Sequence, residues 1–259
     1  VFISFIFCGL FLNYYLIFLF FKNIKNSNIF SGLMVLAWAT IFQLLNQGWI
    51  MLWDITDILI FTIVSYIMVF SLRYHQLLIL YPIALLNRES ALFIPIAYWL
   101  SWFYEIRKIE NPSWLLLTHR QSILTFFFII LGIAYTKAIR DFLFVKPYIG
   151  AESWSQSVAG NHFYLPGNIK NLFFYNFVNE KILLSSFIIL ILFFLIFIFF
   201  KQFIKNYRPL ILLVIIYFLS IFIFGNMKET RMYYPLVTPL VILFGVTLNH
   251  YFKSFKYKS

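Results

Sequence analysis

Long apolar runs follow one another along this chain with little between them, and that leaves room for only one kind of fold. The runs lie at about 1–21, 32–50, 55–72, 75–87, 90–104, 121–139, 182–200, 209–225 and 231–251 and carry very few charges. In lipid, every backbone amide and carbonyl needs a partner inside its own segment or in a closed barrel. Apolar runs of roughly 20 residues therefore become spanning helices. The expected fold is all-α: a polytopic transmembrane helix bundle of about nine membrane segments with one larger outer loop, forming a single membrane domain over 1–259. Composition agrees, since only 11% of residues are charged and 63% are hydrophobic, whereas soluble domains carry about 25% charged residues. The run at 75–87 is short and contains Pro82, so a broken, tilted or re-entrant helix is expected there.

The net charge of +11 would point to nucleic acid on a soluble protein. Here the bases sit between apolar runs, so topology accounts for them and no nucleic-acid partner is expected. With residue 1 placed outside, twelve bases fall in inner segments: Lys22, Lys25, Arg73, Arg107, Lys108, Arg120, Lys201, Lys205, Arg208, Lys253, Lys256 and Lys258. Eight fall outside, five of them in or beside a long loop at about 140–181. Long loops cross regardless of charge, so the short segments decide, twelve against three. The expected location is the cell membrane, multi-pass, with the carboxyl end inside. The outer loop mixes Trp154, His162, Tyr164, Pro166 and Gly167, which suits either a folded cap or an ordinary connector. The single cysteine, Cys8, excludes a disulfide framework within the chain.

Two charged islands interrupt this pattern, both on the expected outer face. Asn87-Arg88-Glu89-Ser90 leads to Pro95, and Lys228-Glu229-Thr230-Arg231 leads to Pro235. Ser90 and Thr230 suit helix N-caps, and Glu89 and Glu229 suit the positive end of a helix dipole. The bases do not, unless an anion is shared. A helix start beside Arg88, or beside Lys228 and Arg231, is an anion site, and at a membrane surface the natural phosphate bears a lipid.

Asp54 and Asp57 follow an aromatic stretch and would share one helical face. Asp54 reads best as an ordinary helix-start residue; Asp57 reads equally as helix start or as an auxiliary carboxylate. Paired carboxylates can also hold a divalent metal or a substrate hydroxyl, although no cofactor is otherwise indicated. His162 is the only histidine expected outside, and reads mainly as a surface residue. Gly-rich phosphate loops, HExxH and G-x-S-x-G are all missing from the chain.

The passages Leu86-Asn87-Arg88-Glu89-Ser90-Ala91-Leu92 and Lys228-Glu229-Thr230-Arg231-Met232-Tyr233-Tyr234-Pro235-Leu236 resemble steps of the GT-C class of integral-membrane glycosyltransferases. The first is similar to an N-R-E-T/S step, the second to an E-x-R-x-x-x-P-L step before a final helix. The resemblance implies transfer of a sugar from a polyprenyl-phosphate donor to a lipid, glycan or protein acceptor on the outer face. It implies catalytic roles for Asp57 and Glu89, and substrate contacts from Arg88, Lys228, Glu229, Arg231 and His162. Such enzymes carry a catalytic Asp just after their first helix, so this chain is expected to begin downstream of that point. Two other readings stay open: an O-antigen-type polymerase or ligase, and a transporter or flippase without covalent chemistry. A transporter predicts a polar path through the bundle, for which Asn13, Gln43, Ser65 and Thr125 are the candidates.

Overall fold

Two residues turn the chain between the first pair of helices. Asn26 takes a left-handed conformation, φ 51°, which Asn tolerates better than most side chains. Its amide donates to the Lys22 carbonyl at 2.7 Å. The Ser27 hydroxyl then accepts from the Phe30 amide and caps the second helix. The computed structural model describes residues 2–46, 52–70, 73–106, 119–143, 165–170, 207–224 and 230–256, and all regular structure among them is helical.

In chain order these helices are α1 (Phe2–Lys25), α2 (Asn28–Leu45), α3 (Leu52–Phe70), α4 (Gln76–Leu85), α5 (Phe93–Ile106), α6 (Arg120–Leu143), α7 (Leu165–Lys170), α8 (Arg208–Phe224) and α9 (Tyr234–Lys256). Short 3₁₀ turns, Glu89–Leu92 and Thr230–Tyr233, lead into α5 and α9. Among the described residues, four segments are long and apolar enough to cross a membrane: Ile3–Lys25, Asn28–Leu45, Trp53–Phe70 and Arg120–Ala138. Gln76–Leu85, Arg208–Phe224 and Tyr234–His250 are shorter apolar helices. Pro82 sits inside α4, so the proline shortens this element without ending it. The expected segment at 182–200 lies outside the described residues.

α3 is the centre of the bundle. It packs against α1, α4, α5, α8 and α9, and 61% of its spanning stretch is buried, against 11% for α6. Apolar burial alone does not hold helices together in lipid, because lipid tails are as apolar as leucine; close approach and buried polar contacts matter more. Both occur here. The Trp38 indole donates to the Thr238 hydroxyl at 2.9 Å, Thr238 and Thr62 share a 2.8 Å hydrogen bond, and Thr62 also reaches the Asn13 carbonyl oxygen. That chain ties α2, α9, α3 and α1 in one buried layer.

Close approach is set by glycine. A side chain at Gly132 would collide with the Tyr81 hydroxyl, which donates to the Phe128 carbonyl at 2.8 Å. One at Gly245 would run into the Phe21 ring and meet Met34 Sδ at 2.7 Å. Gly245→Ala is therefore expected to destabilise the bundle by about 1–3 kcal/mol through overpacking, read as a fall of several degrees in the unfolding midpoint of the detergent-purified protein. An unchanged midpoint would mean that α9 does not press on α1 and α2 here.

Candidate functional site

α3 begins three residues earlier than the apolar run does, and that places Asp54 as well as Asp57 inside the helix. Three residues apart, they share a face, and it points inward: both carboxylates are buried, with 0% and 2% exposure. The chain that meets them is the first charged island. After α4 the amides of Asn87 and Arg88 close onto the Ala84 carbonyl at 2.9 and 3.2 Å. Arg88 is then extended, φ −164° and ψ 160°. Its Nη1 lies 3.2 Å from Asp54 Oδ1 and 4.0 Å from Asp57 Oδ2.

Two neighbours tighten this clasp. Asn87 donates through Nδ2 to the Trp53 carbonyl at 3.0 Å, and Ser90 donates through Oγ to Asp57 Oδ1 at 2.5 Å. The reading of Ser90 as a helix cap is thus corrected. Ser90 lies within the 3₁₀ turn Glu89–Leu92, the N-cap position belongs to Arg88, and the hydroxyl is spent across the bundle on Asp57. Asp54 lies in the first turn of α3, as read from the sequence, and also carries the 3.2 Å ion pair to Arg88. Glu89 opens the turn and is half-buried.

Among the described residues, both buried carboxylates pair with the Arg88 guanidinium, and Asp57 Oδ2 has no hydrogen-bond donor. A buried acceptor without a donor costs about 1–3 kcal/mol. Among the described residues, Arg88 makes its ion pairs through Nη1 alone, and its side chain keeps 21% exposure. Among the described residues the Nε–Nη2 edge of the fork carries no ion pair. Below the cluster, Tyr217 of α8 packs its ring 5.6 Å from Phe61 and 4.4 Å from Phe93. Phe61 is one turn past Asp57 on α3, and Phe93 follows the Ser90 turn.

The turn Thr230–Tyr233 repeats the shape of Glu89–Leu92, a 3₁₀ turn that continues directly into an α-helix. Lys228 and Glu229 lie outside the described residues, as does His162, and Thr230 and Arg231 are described by backbone only. Tyr233 is buried against Phe218 of α8, ring centroids 6.5 Å apart. Tyr234 meets Phe42 near the end of α2 at 5.3 Å. The starts of α3, α5 and α9 and the ends of α2, α4 and α8 thus share one end of the bundle, where the first island and the turn Thr230–Tyr233 lie. The long loop reaches the same end: Asn168 of α7 is buried and donates to the Phe222 carbonyl at 2.8 Å, in the last turn of α8.

Among the described residues, no three His, Cys, Asp or Glu side chains gather as metal ligands would, and a guanidinium occupies the space between the two carboxylates. Of the polar-path candidates, Ser65 donates to its own helix at the Phe61 carbonyl, and Asn13 belongs to the interhelical chain. Gln43 is exposed, and Thr125 is buried on α6. No family model, curated protein or solved structure matches this chain.

Proposed function

We propose that this protein is a GT-C-like glycosyltransferase of about nine membrane segments. It transfers a sugar from a polyprenyl-phosphate carrier to a hydroxyl of a lipid, glycan or protein acceptor, with the Arg88 end of the bundle facing outward. The observation that carries this reading is the half-used guanidinium of Arg88 beside a buried carboxylate oxygen with no donor. An anion-binding edge and a proton acceptor on one constellation are what glycosyl transfer from a phosphate requires.

The step balances with these groups. The acceptor hydroxyl gives its proton to Asp57 as its oxygen forms a bond to the anomeric carbon. The bond from that carbon to the phosphate oxygen breaks, and the phosphate leaves with the electron pair. Arg88 neutralises the departing charge. Asp54 fixes Arg88, and Ser90 fixes Asp57 so that Oδ2 faces the substrate. Lys228 and Arg231, on the second island, would add positive charge at the phosphate; Glu89, Glu229 and His162 would contact sugar or acceptor.

Polyprenyl phosphate titrated into nanodisc-embedded protein tests this directly. Arg88→Lys keeps the charge on Asp54 but loses the planar fork, so binding is expected to weaken by about tenfold. Arg88→Glu is expected to abolish transfer in the full-length, membrane-inserted protein. Equal binding by wild type and Arg88→Lys, or transfer by Arg88→Glu, would remove Arg88 from the site and the reading with it.

A further inference from the structure

The Arg88 cluster lies below the rim of the bundle at its own end. The turn Glu89–Leu92 packs against α6 at Gly132, where a side chain would meet Leu92 Cδ2 at 2.8 Å. The apolar stretch of α6 runs on to Ala138, about six residues or roughly 9 Å further at a rise of about 1.5 Å per residue. α1 gives the same depth from the other side. A side chain at Gly9 would meet Ile55 Cγ2 at 2.6 Å, directly after Asp54, and the apolar stretch of α1 continues towards this end as far as Ile3, again roughly 9 Å. Among these taller helices α4 has only 10 residues, about 15 Å of rise against a hydrocarbon core of about 30 Å.

One face of this short helix is turned out. Ile79, Ile83 and Leu86, on successive turns, are 70%, 61% and 69% exposed, while Leu77, Tyr81, Ala84 and Leu85 fill the buried face. The exposed strip runs directly into Asn87 and Arg88. Among the described residues, the exposed strips of α1 and α2 lead to no charged side chain at this end. Resting on the donor-lipid reading of Arg88, we infer that the exposed strip of α4 is the docking face for the chain of a lipid-borne phosphate, which reaches Arg88 from within the leaflet and not from water. Chain on strip and phosphate on guanidinium match the ligand's apolar tail and anionic head. A bilayer beside a short apolar segment adapts by thinning, so headgroups beside α4 sink towards the cluster. An ionisable group held at this depth needs a partner there, and a lipid phosphate arrives already anchored at that level. A free phosphate would have to give up its water to follow.

The test replaces Ile83, or Phe11 of α1 or Leu36 of α2, each exposed, with photo-reactive benzoylphenylalanine in the full chain in nanodiscs. Radiolabelled decaprenyl phosphate is added below saturation, and its affinity for each variant is measured alongside, so that lost labelling is separated from lost folding. Should the Ile83 variant fail to bind, Ile79 supplies a second position on the same strip. Illumination is expected to label the protein from α4 and not from α1 or α2. Unlabelled decaprenyl phosphate should compete the label away, and inorganic phosphate should not. Arg88→Lys should cut the label in step with its roughly tenfold weaker binding. Equal labelling from all three helices, or labelling from α4 that ignores Arg88→Lys while the lipid still binds through Arg88, would overturn the docking face and leave the donor-lipid reading standing. Competition by inorganic phosphate would overturn entry from the leaflet. If decaprenyl phosphate does not bind at all, both fall.

Discussion

Asp57→Asn, made in the full-length protein in its membrane, is expected to lower the rate of sugar transfer by about 10²–10⁴-fold, the range for removing a general base. The substitution is nearly isosteric. Ser90 can still donate to the remaining carbonyl oxygen, as it does to Asp57 Oδ1, so the local geometry should survive. What disappears is the ability of Oδ2, the atom with no donor, to take a proton. The loss should therefore fall on kcat, with donor binding little changed. Asp54→Asn should behave differently. Asp54 touches Arg88 rather than the reacting atoms, so loosening it should raise KM for the donor more than it lowers kcat. A KM-against-kcat split between the two variants would separate base from positioning residue. An Asp57→Asn enzyme that transfers at the wild-type rate would refute the role of Asp57.

The sequence could show that Glu89–Ser90 and Thr230–Arg231 open turns into helices, because that feature is local. A hydroxyl, an acid and a proline within eight residues describe a turn into a helix wherever it occurs. Partners were not legible in the same way. Ser90 had a plausible amide to cap within three residues, and only the packing of α5 against α3 shows that its hydroxyl is spent on Asp57, 33 positions earlier in the chain. Asp54 was read as a helix-start residue, and it is one; what the sequence did not show is that the first turn of α3 is buried and pairs with Arg88, 34 positions later. One signal was available. Two acids at helical spacing followed by one unmatched arginine at a later helix start is a charge pattern that burial would force to pair. The interhelical chain through Trp38, Thr238, Thr62 and Asn13 had no such signal, because single hydroxyls in apolar runs usually bond back to their own helix, as Ser65 does.

Arg88→Met is expected to destabilise the bundle by about 3–5 kcal/mol, because removing one partner of a buried pair leaves uncompensated charge. Here it would take the guanidinium away from two carboxylates at 0% and 2% exposure. The measurement is thermal unfolding of the detergent-purified protein. The informative variant is the triple, Arg88→Met with Asp54→Asn and Asp57→Asn. If the loss comes from stranded charge, neutralising both acids should recover most of it, and the triple should sit close to wild type. If the loss comes instead from the packing of the Arg88 stem, the triple should be as unstable as the single variant. Recovery would carry a second meaning. A cluster that can be replaced by neutral side chains at little cost is not kept for stability, since buried ion pairs commonly do no better than neutral side chains of similar volume. Ionisable groups within a membrane bundle are then best explained by what they bind. The triple variant should be folded, stable and unable to hold a phosphate.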